Sequence, residues 1–344
     1  MSAASPPISA ANIKKPIFVG VDVGGTNIKL GLVDESGQTI AYHTMVTRQE
    51  LGAEDACKRM GEACRQMIRE AGVSAEDVVR AGLATPGPMN IRAGMLLRPG
   101  NLPGWWDFPI RDRASHHLGM PVTFNNDANA AAFGEYWLGA GAKYHSMVLL
   151  TLGTGLGGGI IVGDTLIEGE HSCGSECGHI LVNPADDAPR DSLGKSGSLE
   201  AYTNATAVVT RTLEELNKGV PSVLAKKHAD NEAITPLMVA EAAEKGDALA
   251  HKVIMEIAYW LGIGIVTFIH TIDPDAVVLG GAMTFGGPSS PLGREFLQHI
   301  RDVARPRLLE PLRETLVIEF ASLGGNAGYI GAAGLARLEQ SRQR

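Results

Sequence analysis

Three short stretches carry residue types that could handle a phosphate and a hydroxyl. The first is Asp22-Val23-Gly24-Gly25-Thr26-Asn27, set between two apolar segments. The second is Gly153-Thr154-Gly155-Leu156-Gly157-Gly158. Glycine permits positive φ and lets a phosphate approach where a Cβ would stand. The N–H groups freed in such a turn point at anionic oxygens. Thr26, Asn27 and Thr154 add side-chain donors. Asp22, at the end of a buried strand beside the first turn, is suited to be an outer-shell partner of Mg2+. The third stretch is Asn125-Asn126-Asp127-Ala128-Asn129, between an apolar strand and a helix. Asp127 has two readings there: a helix N-cap, or a general base that takes a hydroxyl proton. A base, two phosphate turns and Mg2+ make up the minimal apparatus for phosphoryl transfer.

Two rival motifs fail on context. Gly153, Gly155 and Gly158 spell G-x-G-x-x-G, but a dinucleotide site needs a helix next, and Gly159-Ile160-Ile161-Val162 is strand-like. Gly194-Lys195-Ser196 looks like the end of a Walker A loop, yet the glycine required five residues before Gly194 is Pro189.

The elements that must hold these residues follow from periodicity. Residues 17–23 and 28–34 read as strands around the first turn, with a third near 39–47. A helix over about 53–71 places Cys57, Met60, Cys64 and Met67 on one stripe, so both cysteines read as small core hydrophobes. Strands follow at 78–84 and 120–124, the second leading into Asp127 and a helix ending near Leu138. Residues 146–152 and 159–162 repeat the opening plan of strand, glycine turn, strand. Laying Asp22-Val23-Gly24 over Thr151-Leu152-Gly153 suggests two related α/β halves. Helices dominate 199–271, strands are expected at 276–279 and 316–320, and an Ala/Gly-rich helix closes the chain.

Composition narrows the field. The 344 residues are enough for two domains. The net charge is −8, with no Lys/Arg block, which argues against nucleic acid as a partner. Four cysteines and a polar N-terminal stretch without an apolar leader point to a reducing, cytoplasmic setting. The uncharged run 257–272 reads as a core helix, so no membrane association is expected. Glycine is the outlier: 42 residues, against a usual ~7%.

Taken together, Asp22 to Lys29, Asn101-Leu102-Pro103-Gly104-Trp105, Asn126 to Ala132, Leu152 to Gly159 and Leu279-Gly280-Gly281 resemble the ROK family of sugar kinases and sugar-responsive repressors. The motifs run in family order over about residues 17–336. The resemblance implies a two-domain actin/hexokinase-like (ribonuclease H-like) ATPase fold with a central cleft, closing around its sugar. Its expected halves are 16–124 plus 326–344, and 125–325. It implies ATP and Mg2+ as cofactors, with Asp22, Gly24, Gly25, Thr26, Asn27 and Lys29 at the first phosphate motif. Gly153, Thr154 and Gly155 match the second, and Gly280 and Gly281 the adenosine-side turn. Asp127 becomes the base for a hexose 6-hydroxyl. Gly87, Asn101, Asn126, Glu176, His179 and Glu200 fall on the sugar side, and a homodimer is implied.

One departure stands out. Family members usually carry three cysteines that, with the histidine of Glu-x-Gly-His, hold a structural zinc. Here those positions are Asp191, Leu193 and Ser198, while His179 remains. Leucine offers no ligand, so the Cys3His site cannot form and no zinc is expected. His171, Cys173, Cys177 and His179 are the alternative metal set, though Cys-x3-Cys is unusual spacing. The expected activity is phosphorylation of glucose. Kinases for N-acetylmannosamine, N-acetylglucosamine, fructose or allose remain open. A repressor is disfavoured because about 16 residues precede the first strand, where repressors of the family carry a DNA-binding domain.

Overall fold

A computed structural model describes residues 13–343. Ile17–Val23 (β1) and Asn27–Asp34 (β2) form an antiparallel hairpin whose register sets Asp22 opposite Lys29. β1 is apolar apart from Asp22, and β2 is apolar and buried from Leu30 to Val33, as strands covered on both faces must be. Thr39–Val46 (β3) adds antiparallel to β2, its residues from Ala41 on alternating half-buried and exposed. Gly52–Glu70 (α1) buries Cys57, Met60, Cys64 and Met67. Val78–Thr85 (β4) runs parallel to β1. A two-stranded pair, Met89–Asn90 (β5) and Met95–Leu96 (β6), and Ile110–Leu118 (α2) lead to Val122–Asn126 (β7), which is parallel to β4. The sheet order is β3-β2-β1-β4-β7. Asp127–Leu138 (α3) starts where β7 ends.

The second sheet repeats this plan. Met147–Leu152 (β8) and Leu156–Val162 (β9) make its hairpin, with Thr165–Leu166 (β10) beyond β9. A helical stretch follows: Leu199–Thr203 (α4), Ala205–Asn217 (α5), Ala225–Ala229 (α6), Pro236–Glu244 (α7) and Ala248–Ile272 (α8). Ala276–Gly281 (β11) is parallel to β8. After Pro291–Ala304 (α9) and Glu310–Thr315 (α10), Val317–Phe320 (β12) runs parallel to β11. The order is β10-β9-β8-β11-β12, strand for strand the arrangement of the first sheet. Ala327–Arg342 (α11) ends the described chain.

The chain divides into two units, one running to Lys143 with Leu166–Ser175 and the residues from Leu323 onward, the other Tyr144–Thr165 with Glu176–Ser322. The change of unit therefore falls after Lys143, not after residue 124. Packing explains the difference, because α3 lies tight on α11. A Cβ added at Gly331 would stand 1.6 Å from the Ala130 carbonyl oxygen, and one at Gly134 2.5 Å from that of Ala327. The 166–175 segment belongs to the first unit for polar reasons. Glu168 accepts from Asn125 Nδ2 at 2.6 Å, and Glu170 takes Arg92 through both oxygens at 2.6 and 2.9 Å.

Each unit has its own core. In the first, Val19, Val21, Leu30, Met60, Leu83 and Trp105 pack together. In the second, Leu150, Val253, Ile257, Leu261, Val277 and Phe296 do so. The 25-residue α8 is long and apolar enough to cross a membrane, and Leu249, Val253, Ile257, Leu261, Ile265 and Phe268 on it are buried in that second core.

Candidate active site

In the first unit, the turn between β1 and β2 is closed by the Gly24 N–H, which donates to the Asn27 carbonyl at 2.9 Å. Thr47 then braces it. Its Oγ1 donates to the Gly24 carbonyl at 2.6 Å, and its N–H donates to the Thr26 carbonyl at 2.9 Å. Gln49 Nε2 donates to the Gly25 carbonyl at 3.3 Å, and the buried Trp105 indole holds the Gln49 carbonyl at 3.2 Å. Asn101 comes to the same turn: its carbonyl oxygen would lie 3.1 Å from a Cβ on Gly25. Trp105 closes the Asn101–Trp105 motif of the resemblance, but its part in holding this turn, and those of Thr47 and Gln49, come only from the fold.

Asp22 lies at the far end of β1, against the start of α11, where a Cβ on Gly328 would be 2.5 Å from its Oδ2. Burial pushes its carboxyl above the usual range, with the Lys29 charge opposing. Lys29 Nζ donates to the Gly325 carbonyl at 2.6 Å. A half-buried carboxylate held up by desolvation is a group that a cation would relieve, so Asp22 fits the Mg2+ role.

The β7–α3 junction separates the two readings of Asp127. Asn126 is the N-cap: its Oδ1 accepts from the Ala128 and Asn129 N–H groups at 2.8 and 3.2 Å. Asp127 occupies the first helical position, part-exposed, with Oδ1 accepting from the Ala128 N–H at 2.8 Å. The strand-end carboxylate is thus not the cap. Asn125 fixes the junction, its Oδ1 accepting from the Asn126 N–H and from Asn129 Nδ2, its Nδ2 donating to Glu168. A Cβ on Gly87 would stand 3.8 Å from Asn126 Nδ2, so Gly87 borders the same junction.

In the second unit, the Gly153 N–H donates to the Gly155 carbonyl at 3.0 Å, and the Ala205 N–H holds the Gly153 carbonyl at 2.9 Å. Thr154 stands between them. Glu200 is buried behind this turn. Its Oε2 accepts from the Leu156 N–H at 2.9 Å and its Oε1 from Ser192 Oγ at 2.6 Å. A Cβ on Gly155 would be 2.6 Å from that Oε2. Glu200 therefore braces the second glycine turn, a task the sequence did not indicate. Gly281 ends β11 with φ 90°, over the Leu152 backbone, and Gly280 lies beside Ala321. Positive φ is confined to Gly281 in this set. Gly24, Gly25, Gly153 and Gly155 have no left-handed φ, contrary to one expectation for the turns. Their value is the missing Cβ.

Glu176 precedes and His179 ends a single 3-10 turn, Cys177–His179, with His179 Nε2 4.0 Å from Glu176 Oε2. His179 Nδ1 lies 3.1 Å from Asp191 Oδ2. The zinc implied by the resemblance does not fit these residues. Asp191 Oδ2 is engaged by His179 and by Ser198 Oγ at 2.9 Å, and Leu193 is 64% exposed without a donor atom. Cys177 is a core residue whose thiol burial pushes up to about 12. Cys173 is exposed. Among the described residues no group of three or more His, Cys, Asp or Glu side chains is arranged to hold a metal ion.

Two mixed sheets of one strand order, each opening on a glycine-turned hairpin, define the actin/hexokinase-like ATPase fold. The chain belongs to the ROK family, whose pattern matches residues 18–339. It is 33% identical over 324 residues to a glucokinase of Halalkalibacterium halodurans, covering 94% of this chain and 96% of that one. The ROK hexokinase from Thermus thermophilus superposes with a TM-score of 0.79 at 32% identity, over 95% of this chain and 99% of that one. A ROK family glucokinase from Streptomyces griseus, solved in complex with glucose and AMPPNP, gives 0.75 at 32% identity over 94% and 99%.

Proposed function

We propose that this ROK protein, an ATP-dependent sugar kinase, transfers a phosphoryl group from ATP to the 6-hydroxyl of glucose, with Asp127 as general base. The observation that carries the reading is the β7–α3 junction. Asn126 takes the capping bonds, so Asp127 can accept a proton without uncapping its helix. Its held orientation also supports the role, since the Ala128 N–H fixes Oδ1. The glucokinase relative and the glucose complex of the Streptomyces griseus enzyme support glucose as substrate.

In this reading the Gly24–Asn27 and Gly153–Gly155 turns bind phosphates through backbone N–H groups, and Lys29 lies beside the first. Gly280 and Gly281 take the adenosine side. Asp22 would hold Mg2+ through its water shell. The ion would neutralise charge on the transferring phosphoryl oxygens. Asn101, Asn126, Glu176 and His179 would pair with sugar hydroxyls, Gly87 would border them, and Glu200 would act from behind the second turn. Such pairing gives discrimination, because a wrong sugar leaves buried polar groups unpaired. The four free thiols support a reducing, cytoplasmic setting.

The test is ADP release over a panel of glucose, fructose, allose, N-acetylmannosamine and N-acetylglucosamine. Glucose should give the highest kcat/KM. Preference for an acetamido sugar would reassign the substrate, and no turnover with any sugar would end the kinase reading. Asp127→Asn should lower kcat by about 10²–10⁴-fold, the span of a general base, while glucose affinity changes far less. An unchanged kcat removes Asp127 from the role.

A further inference from the structure

The Asp191 side chain is wholly buried in an irregular loop, yet four donors converge on it. Oδ1 accepts from the Leu193 and Lys195 N–H groups at 3.0 and 2.8 Å, and Oδ2 from His179 Nδ1 and Ser198 Oγ at 3.1 and 2.9 Å. Burial works to raise the carboxyl's pKa. The donors outweigh it and hold the group below the usual carboxylate range. An ionised carboxylate can only accept. The His179 ring must therefore donate from Nδ1, which leaves Nε2 of the neutral ring as an acceptor, on the side of Glu176. Ser198 must likewise donate, and its lone pair then caps α4 through the Ala201 N–H. That helix carries Glu200, which takes Ser192, the residue next to Asp191.

We propose that Asp191 is the positioning residue of the sugar site: its carboxylate does without metal what a bound ion would do, fixing the tautomer of His179. The proposal rests on the sugar-kinase reading only for what His179 meets, namely a sugar hydroxyl that donates to Nε2. The coupling of Asp191 to His179 is a property of the protein by itself.

The test starts with the unaltered full-length protein, its histidine rings labelled with 15N, and His179 assigned by its loss in His179→Gln. The proton of neutral His179 should sit on Nδ1. A proton on Nε2 overturns the proposal, and this measurement needs neither turnover nor a variant of Asp191. Asp191→Asn removes the charge at constant size and places an amide donor opposite Nδ1. The His179 tautomer should then shift toward Nε2–H. KM for glucose should rise by up to about tenfold, the upper worth of one neutral hydrogen bond, while KM for ATP stays within about twofold. A purely structural role for Asp191 would move both constants together and leave the tautomer alone, and that result refutes positioning. If the sugar panel shows no turnover but Nδ1 carries the proton, the kinase reading fails and the Asp191–His179 coupling stands.

Discussion

Gly153 has nothing within 4 Å of the place its Cβ would take, and its φ is not left-handed. Alanine fits there without strain. Any effect of Gly153→Ala must therefore come from what the turn binds. The variant should melt with the parent and raise KM for ATP by about tenfold or more, the cost of spoiling charge-assisted bonds to a phosphate. An unchanged KM would detach this turn from the nucleotide. Gly155 is a different case, since alanine there must displace the Glu200 carboxylate. The sequence marks both glycines for positive φ and for a missing Cβ, and only the missing Cβ holds. It could not show that Glu200 stands behind the turn, because Glu200 lies 44 positions beyond Leu156, whose N–H it takes. Asp127 is legible from its place after an apolar strand. That Asn126 and not Asp127 is the cap is a matter of one residue, below what periodicity resolves.

At the scale of elements, strand types follow from apolar runs, but their ends do so less well: β9 starts at Leu156 and takes in Gly157, Gly158 and Gly159, and β7 runs on to Asn126. The pairing of α3 with α11 does not follow from such runs, because the two helices are almost two hundred positions apart in the chain and neither shows an apolar stripe. Their contact uses small residues on both sides, so the backbones themselves touch. This is also where much of the glycine excess belongs. Gly20 and Gly82 on the sheet would drive a Cβ to 1.8 Å from α11 carbonyl oxygens, and Gly331 to 1.6 Å from α3. Two effects oppose each other in Gly331→Ala. Alanine gains ~1 kcal/mol of helix propensity. Overpacking against a backbone atom that cannot rotate away costs about 1–3 kcal/mol and often more. The clash should win, so Gly331→Ala should lower the melting temperature. A variant that melts above the parent would show that α3 and α11 can separate freely.

At the scale of the whole molecule, two sheets of one order carry two separate cores. The sequence hinted at this duplication through its repeated strand, glycine turn and strand, but the shared strand order lies in crossovers that local patterns do not encode. Separate cores bear on how the chain unfolds. Two-state behaviour is expected of single domains and breaks down when units can melt apart. Calorimetry without ligand should then give a total enthalpy larger than the van't Hoff enthalpy, with two overlapping transitions. Gly331→Ala identifies them, because α3 and α11 both belong to the unit built on β1. That substitution should lower one transition and leave the other, governed by β8, β11 and α8, in place. Glucose at a hundred times its Kd should add about 2.7 kcal/mol to whatever melts with the bound sugar. If Gly331→Ala instead moves a single transition whose two enthalpies agree, the chain unfolds as one cooperative body and the two cores are not independent in stability.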